Sequence, residues 1–187
     1  MSGRRKRQPA RSRMALLYLI RHARPEGAGT FLGQADPPLA NRALDRLAVA
    51  LSALPVRALY VSPLRRARET AECLCCSDTI VLPDLREIGF GQWTGKTWAE
   101  IETHWPDLAG RKLKDWHGVT PPEGESWTDF EERVERAWNR ICEGPSATAV
   151  VAHHAVNAVL AQLADGLPIA EFRQAYGEIK QINYVAR

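Results

Sequence analysis

Apolar residues fall along this chain in short unbroken runs, separated by stretches with helical spacing. Leu16-Leu17-Tyr18-Leu19-Ile20 is the first run, and it ends directly on Arg21-His22. Ala147-Thr148-Ala149-Val150-Val151-Ala152 is a later one, and it ends on His153-His154. Runs of this length predict strands buried on both faces. Residues 56–61 (VRALYV), 79–82 (TIVL) and 179–185 (IKQINYV) predict three more strands. Between them, Leu39, Leu44, Leu47, Leu51 and Leu54 predict a helix over 39–54. Ser62-Pro63 predicts a helix start, with serine as N-cap and proline at the first helical position. Thr97 and Glu100 form a capping-box pattern, and Ser126 with Asp129 is a weaker relative of it. The second of these opens a helix carrying Phe130, Val134, Ala137 and Ile141, and a further helix is expected over 155–164. Strand and helix alternate, so the expected fold is α/β, a three-layer sandwich with a mostly parallel central sheet.

The alternation breaks between residues 83 and 127. Trp93, Trp98, Trp105, Trp116 and Trp127 lie there, with Pro106, Pro121 and Pro122. This reads as an aromatic satellite within a single domain over 14–187, packed over one end of the sheet. It is either a plain apolar subcore or a lid over a site at the strand ends.

Composition changes the picture in three places. The net charge is +3, yet residues 1–13 carry Arg4, Arg5, Lys6, Arg7, Arg11 and Arg13 and no acid, so the body is net −3. The basic tail reads as a disordered leader, with Met14 as an alternative start; nucleic-acid binding is its less favoured reading. Cys73, Cys75, Cys76 and Cys142 lack the paired-cluster spacing of a zinc site, so they read as thiols in a reducing compartment. No apolar stretch approaches the ~20 residues of a membrane span. The expected location is the cytoplasm.

Ligands in open α/β sheets bind outside the carboxyl ends of strands. Two strands here deliver a histidine to that edge, one with an arginine beside it. Neutral imidazole attacks phosphorus, and guanidinium clamps phosphate oxygens in bidentate fashion. The pairing points to a phosphate site.

Four blocks in order then make the resemblance specific. They are Arg21-His22-Ala23; Ser62-Pro63-Leu64-Arg65-Arg66-Ala67 running on to Thr70-Ala71; Leu85-Arg86-Glu87 followed by Gly91-Gln92-Trp93-Thr94-Gly95; and Val150-Val151-Ala152-His153-His154. With them the chain resembles the histidine phosphatase superfamily, the phosphoglycerate-mutase-like fold, from about Leu16 to the C-terminus. The resemblance implies His22 as the phosphorylated nucleophile and Glu87 as the general acid and base. Arg21, Arg66 and His153 would hold the phosphate, with His153 protonated when phosphate is bound. Arg66 would sit at an anion-favouring helix start. Phe31-Leu32-Gly33-Gln34, with Asp36, Pro38 and Leu39, resembles a substrate loop in which Gly33 lets the backbone approach and Gln34 faces the substrate. Arg65 and Arg68 read as a solvated face, and His104 and His117 as surface or packing residues. Pro122-Glu123-Gly124-Glu125-Ser126 reads as a helix entry near the rim.

Two positions depart from the family pattern. Ala23 and His154 stand where glycines are expected; alanine fits if the backbone needs no positive φ, while His154 narrows the pocket or adds an imidazole to it. The expected activity is a metal-independent, cofactor-free phosphomonoesterase for a small phosphorylated metabolite. Spacing, the Gly33–Leu39 loop and Gly166-Leu167-Pro168 with Tyr176-Gly177 resemble the α-ribazole-5′-phosphate phosphatases of cobalamin nucleotide-loop assembly. A broad-specificity sugar-phosphate phosphatase and a catalytically silent phospho-ligand binder remain the alternatives.

Overall fold

A computed structural model describes residues 13–186. The expectation of a basic tail falls almost wholly on residues 1–12, outside the described residues. Five strands form the sheet: β1 (Arg13–Arg21), β2 (Ala58–Val61), β3 (Thr79–Val81), β4 (Ala147–Ala152) and β5 (Ile179–Ala186), in the order β3-β2-β4-β1-β5. All neighbours are parallel except β1 and β5. β1 starts earlier than the apolar run does, at Arg13, because the antiparallel partner β5 pairs with it out to Ala186.

Successive strand residues face opposite layers. Leu17, Leu19, Val150 and Ala152 pack with α5 (Trp127–Cys142) and α6 (His154–Asp165) through Phe130, Val134, Val156 and Leu160. Tyr18, Ile20, Ala149 and Val151 pack on the other face with Leu51 of α1 (Leu47–Ser52) and Ala67 and Ala71 of α2 (Arg65–Ala71). The three-layer, mostly parallel sandwich expected from the alternation is the architecture observed.

Two helix starts differ from the sequence reading. The helix expected over 39–54 begins only at Leu47. Leu39 bridges Pro25 in extended backbone, and Arg42 has a φ of 61°, which no right-handed helix contains. α2 starts at Arg65, with Leu64 rather than Ser62 at its cap position. The Ser62 hydroxyl accepts from the Leu64 amide, one step before the helix proper.

The satellite carries α3 (Trp98–His104), entered through a complete Thr97–Glu100 capping box, and α4 (Pro106–Lys114). Trp93, Ile101 and Ala109 form its core with Phe31, Phe90, Trp98 and Trp105 around them. Trp116 lies against Phe31 and Trp98 at the edge of that core, Trp127 packs on Phe130 instead, and both line the cleft at the strand ends. Among the described residues, no helix is long and apolar enough to cross a membrane.

Candidate active site

Strand pairing brings the site together. Arg21 on β1 lies opposite Ala152 on β4, and the amide of His22 donates to the Ala152 carbonyl at 3.0 Å. His22 and His153 therefore leave the sheet side by side, with ring centroids 5.0 Å apart. The amide of Ser62, just past β2, donates to Val151 on the same edge. A cleft of about 390 Å³ opens there, lined by Arg21, His22, Gly33, Arg66, Glu87 and His154 among others.

His22 is buried, and its Nδ1 lies 2.7 Å from the Ala23 carbonyl. A nitrogen facing a carbonyl oxygen carries the proton, so Nε2 holds the lone pair. Arg66 donates from Nε to that Nε2 at 3.2 Å. Burial lowers the His22 pKa to about 3; the Ala23 carbonyl opposes this, and Arg66 and Arg21 add to it. The ring is neutral over the physiological range. The Ala23 amide donates to Thr70 Oγ1, which in turn donates to the Arg66 carbonyl. α2 thus holds the turn behind His22. Ala23 needs no positive φ, so alanine meets the condition set for it.

Arg66 is almost fully buried. Its Nη1 and Nη2 donate to the carbonyls of Ala35 and Gly33, both at 2.6 Å. Glu69 on the same helix accepts from the Leu39 amide, and Asp36 accepts from the Arg65 amide. The first turn of α2 already holds the Asp36 carboxylate, which replaces the expected open anion site at that helix start. Gly33 has a φ of 50°, and a Cβ there would meet the Ile88 carbonyl at 2.9 Å. The loop closes only with glycine, and the Gly33 carbonyl goes to Arg66 rather than toward the cleft. Gln34, next in line, is exposed and outside the cleft. Arg65 pairs with Glu69 on the surface and Arg68 is exposed.

Arg21 donates from Nη1 to the Gln174 carbonyl at 2.7 Å, and its guanidinium lies over the Tyr176 ring at 3.9 Å. Its buried Nε has no hydrogen-bond partner among the described residues. Buried Gln174 is itself fixed, with Nε2 donating to Leu19 and Glu178 carbonyls and Oε1 accepting from Asn157.

His153 is fully buried, with Nε2 2.7 Å from Ser62 Oγ. The same hydroxyl accepts from the Leu64 amide at 3.3 Å, so Ser62 serves the turn that enters α2 as well as His153. Burial first, then His22, Arg66, Arg133 and Arg21, lower the His153 pKa well below its ordinary value. The charge expected on His153 is tied to bound phosphate, which would offset the three guanidiniums that disfavour a further proton in the free site.

Glu87 faces the same cleft from the loop after β3. Burial raises its pKa, opposed by the Ile88 amide, Arg66, Arg21 and the Ala155 amide. Sequence reasoning missed the residue that sets this loop. Arg133 on α5 donates to the carbonyls of Asp84, Arg86 and Glu87 and to both oxygens of Glu125. Every guanidinium N–H has an acceptor. From sequence Arg133 is one more helix charge; only Glu125, in the segment read as a helix entry, hinted at the pair.

His154 is half-buried between this cleft and a second cavity of about 410 Å³. Its pKa is lowered by burial and Arg21, partly opposed by the Gln174 carbonyl. His117 stacks on Trp127, while His104 is exposed beside Trp105. Among the described residues, no group of three or more His, Cys, Asp or Glu side chains is placed to hold a metal ion.

The profile of the histidine phosphatase superfamily (branch 1) matches residues 17–185. The bifunctional protein Rv2228c of Mycobacterium tuberculosis is 36% identical over 155 residues, covering 78% of this chain. The chain spans only 42% of that relative's length. The adenosylcobalamin/α-ribazole phosphatase of Escherichia coli K12 is 27% identical over 162 residues, 81% of this chain and 80% of that one. The crystal structure of the α-ribazole phosphatase from Shigella flexneri superposes with a TM-score of 0.80 at 25% identity, covering 91% of this chain and 94% of the other. The blocks at Arg21-His22, Arg66, Glu87 and His153 all fall inside the matched span, and the chain belongs to the histidine phosphatase superfamily.

Proposed function

We propose that this protein is a phosphomonoesterase that works through a phosphohistidine at His22, on a small phosphorylated metabolite in the cytoplasm. One observation carries the reading. A neutral histidine presents Nε2 to a cleft that also holds two guanidiniums and a half-buried carboxyl group with a raised pKa.

The chemistry follows from those positions. A phosphate dianion enters between Arg21 and Arg66, whose spare N–H groups take its non-bridging oxygens. Arg66 Nε–H then exchanges its bond to His22 Nε2 for a phosphate oxygen, which frees the lone pair. Nε2 attacks phosphorus, the P–O bond to the alcohol breaks, and Glu87 gives its proton to the leaving oxygen. Glu87, now a carboxylate, takes a proton from water, and the hydroxide oxygen displaces phosphate from Nε2. The dianion also opposes the cations that keep His153 neutral, so His153 gains basicity as substrate binds. Phosphoryl transfer is mainly positioning plus charge stabilisation, and Arg21 and Arg66 supply both.

α-Ribazole 5′-phosphate is the leading substrate, on the strength of the relatives that bear that name. A binding-only role drew on Ala23 and His154. The first of these leaves the His22 turn intact.

Purified protein should hydrolyse p-nitrophenyl phosphate and alkyl phosphates, with the rate unchanged by a chelator and abolished by His22→Ala. Near-wild-type turnover by His22→Ala, or activity restored only by one divalent ion, would refute the reading.

A further inference from the structure

We propose that Tyr176 is a positioning residue for Arg21: its ring fixes the plane of the guanidinium, so that one N–H edge stays turned to the phosphate. The inference rests on the phosphomonoesterase reading, and it gives a task to a side chain that takes no part in making or breaking bonds.

The two clamping arginines are held in different ways. Arg66 is locked in its plane, with Nε, Nη1 and Nη2 on three separate acceptors. Arg21 is tied by Nη1 to the Gln174 carbonyl at 2.7 Å, while its buried Nε finds no acceptor among the described residues. A guanidinium tied at one nitrogen can still swing about that bond, and a long side chain has much rotamer freedom to lose. The Tyr176 ring removes the swing. Its centroid lies 3.9 Å from Arg21 Cζ, well inside cation–π range. The Gln174 carbonyl and the ring face together define the guanidinium plane. Nε and Nη2 then share one edge, a fork that fits two oxygens of one phosphate. A buried N–H without an acceptor is costly, so the orphaned Nε marks that edge as the one kept for a ligand oxygen.

The ring is itself held by the chain that crosses the end of β1. The Gly177 amide donates to the carbonyls of Arg21 and His22, both at 3.1 Å, from a turn in which Gly177 has a φ of 73°. Gln174 anchors the other side of the loop through Leu19, Glu178 and Asn157. Residues 174–178 thus grip Arg21 at its backbone, at Nη1 and on its face. Tyr176 is not a core residue. It is half-buried and stands outside the three apolar clusters of the described residues. It separates the phosphate cleft from a surface hollow of about 310 Å³ lined by Arg24, Arg46 and Leu47. Its ring centroid is 5.5 Å from that of His22. A ring with reacting side chains on one side and a hollow on the other serves orientation more than packing.

The test measures kcat/KM for p-nitrophenyl phosphate and calorimetric Kd for inorganic phosphate on the full chain. Tyr176→Leu and Tyr176→Gln both remove the aromatic face, the second with a polar side chain; Tyr176→Phe keeps it. The first two should lose about ten- to a hundredfold in kcat/KM, the scale of a misplaced positioning contact. Their affinity for phosphate should fall by about three- to tenfold, the scale of a lost cation–π contact. Tyr176→Phe should rescue both quantities. Arg21→Lys supplies the readout that a merely structural ring would not move. An ammonium has no plane to orient, so in that background Tyr176→Leu should cost less than about twofold. A full-sized loss in the Arg21→Lys background, wild-type values in both ring-less variants, or a Tyr176→Phe as poor as either would overturn the proposal. Weaker phosphate binding by the ring-less variants, with no ester turned over by the wild type, would support the positioning and refute the phosphatase reading. Wild-type turnover that both ring-less variants match, in kcat/KM and in Kd, would do the reverse.

Discussion

Arg66 donates from Nε to His22 Nε2 at 3.2 Å while the opposite ring nitrogen, Nδ1, faces the Ala23 carbonyl. The two contacts demand the same tautomer, with the proton on Nδ1. Arg66 is thus placed both to mark the nucleophilic lone pair and to be the first group displaced when phosphate arrives.

Arg66→Lys tests that pairing. A lysine keeps the charge but cannot reach Gly33, Ala35 and His22 together, since its donors sit on one nitrogen. The variant should fold and lose about 10²–10³-fold in kcat, as for removal of a fixed transition-state donor. A variant with near-wild-type kcat would show that charge alone suffices.

Glu87→Gln should act unequally on different esters. An alkoxide leaves badly without a proton, whereas p-nitrophenolate leaves well. In the phosphorylation step, an alkyl phosphate should lose about 10²–10⁴-fold and p-nitrophenyl phosphate far less. Equal losses, measured by rapid quench, would remove Glu87 from the acid role.

The pH profile follows from the two shifted groups. Glu87 must be protonated at the start, so kcat/KM falls as pH rises through its raised pKa; Glu87→Gln should lack this alkaline limb. His22 must be neutral, and it gains a proton only near pH 3. Any acid limb near pH 6 should then follow the second ionisation of the ester, about 6 for an alkyl phosphate, and shift with the ester used. An acid limb fixed near 6.5 for every ester would instead report an ordinary imidazole at His22.

Arg133→Met should weaken both fold and chemistry. It strands the half-buried Glu125 carboxylate and frees three carbonyls of the loop that carries Glu87. Breaking a buried pair costs about 3–5 kcal/mol, so the melting temperature should fall clearly. As a positioning residue, Arg133 should also reproduce the leaving-group selectivity of Glu87→Gln in the surviving folded protein. A loss equal on both leaving groups would make Arg133 purely structural.

The sequence made the strand ends and their histidines legible because buried strands are unbroken apolar runs with polar residues where they exit. Three of the blocks bring Arg21, His22, Arg66 and Glu87 to one cleft, and the fourth adds His154 to its lining. What escaped was whatever depends on distant backbone. Arg133 reaches carbonyls 46–49 residues away, so nothing near it in sequence shows its purpose. Thr70 sits inside a matched block, yet its hydroxyl serves the Ala23 amide. The leucines from 39 to 54 keep helical spacing, but spacing does not show the positive φ at Arg42. The depth at which His153 is buried among cations was hidden for a similar reason, since it is a property of the folded chain. Gln34 follows the Gly33 turn onto the exposed surface, outside the lining of the cleft, a placement that spacing alone does not show.

Trapping the covalent intermediate tests the central claim most directly. Wild-type protein mixed with labelled phosphate ester and quenched within milliseconds should carry label in an alkali-stable, acid-labile form, and peptide mapping should place it on Nε2 of His22. His22→Ala should carry none. Label on another residue, or full single-turnover hydrolysis with no labelled protein at any quench time, would contradict the account.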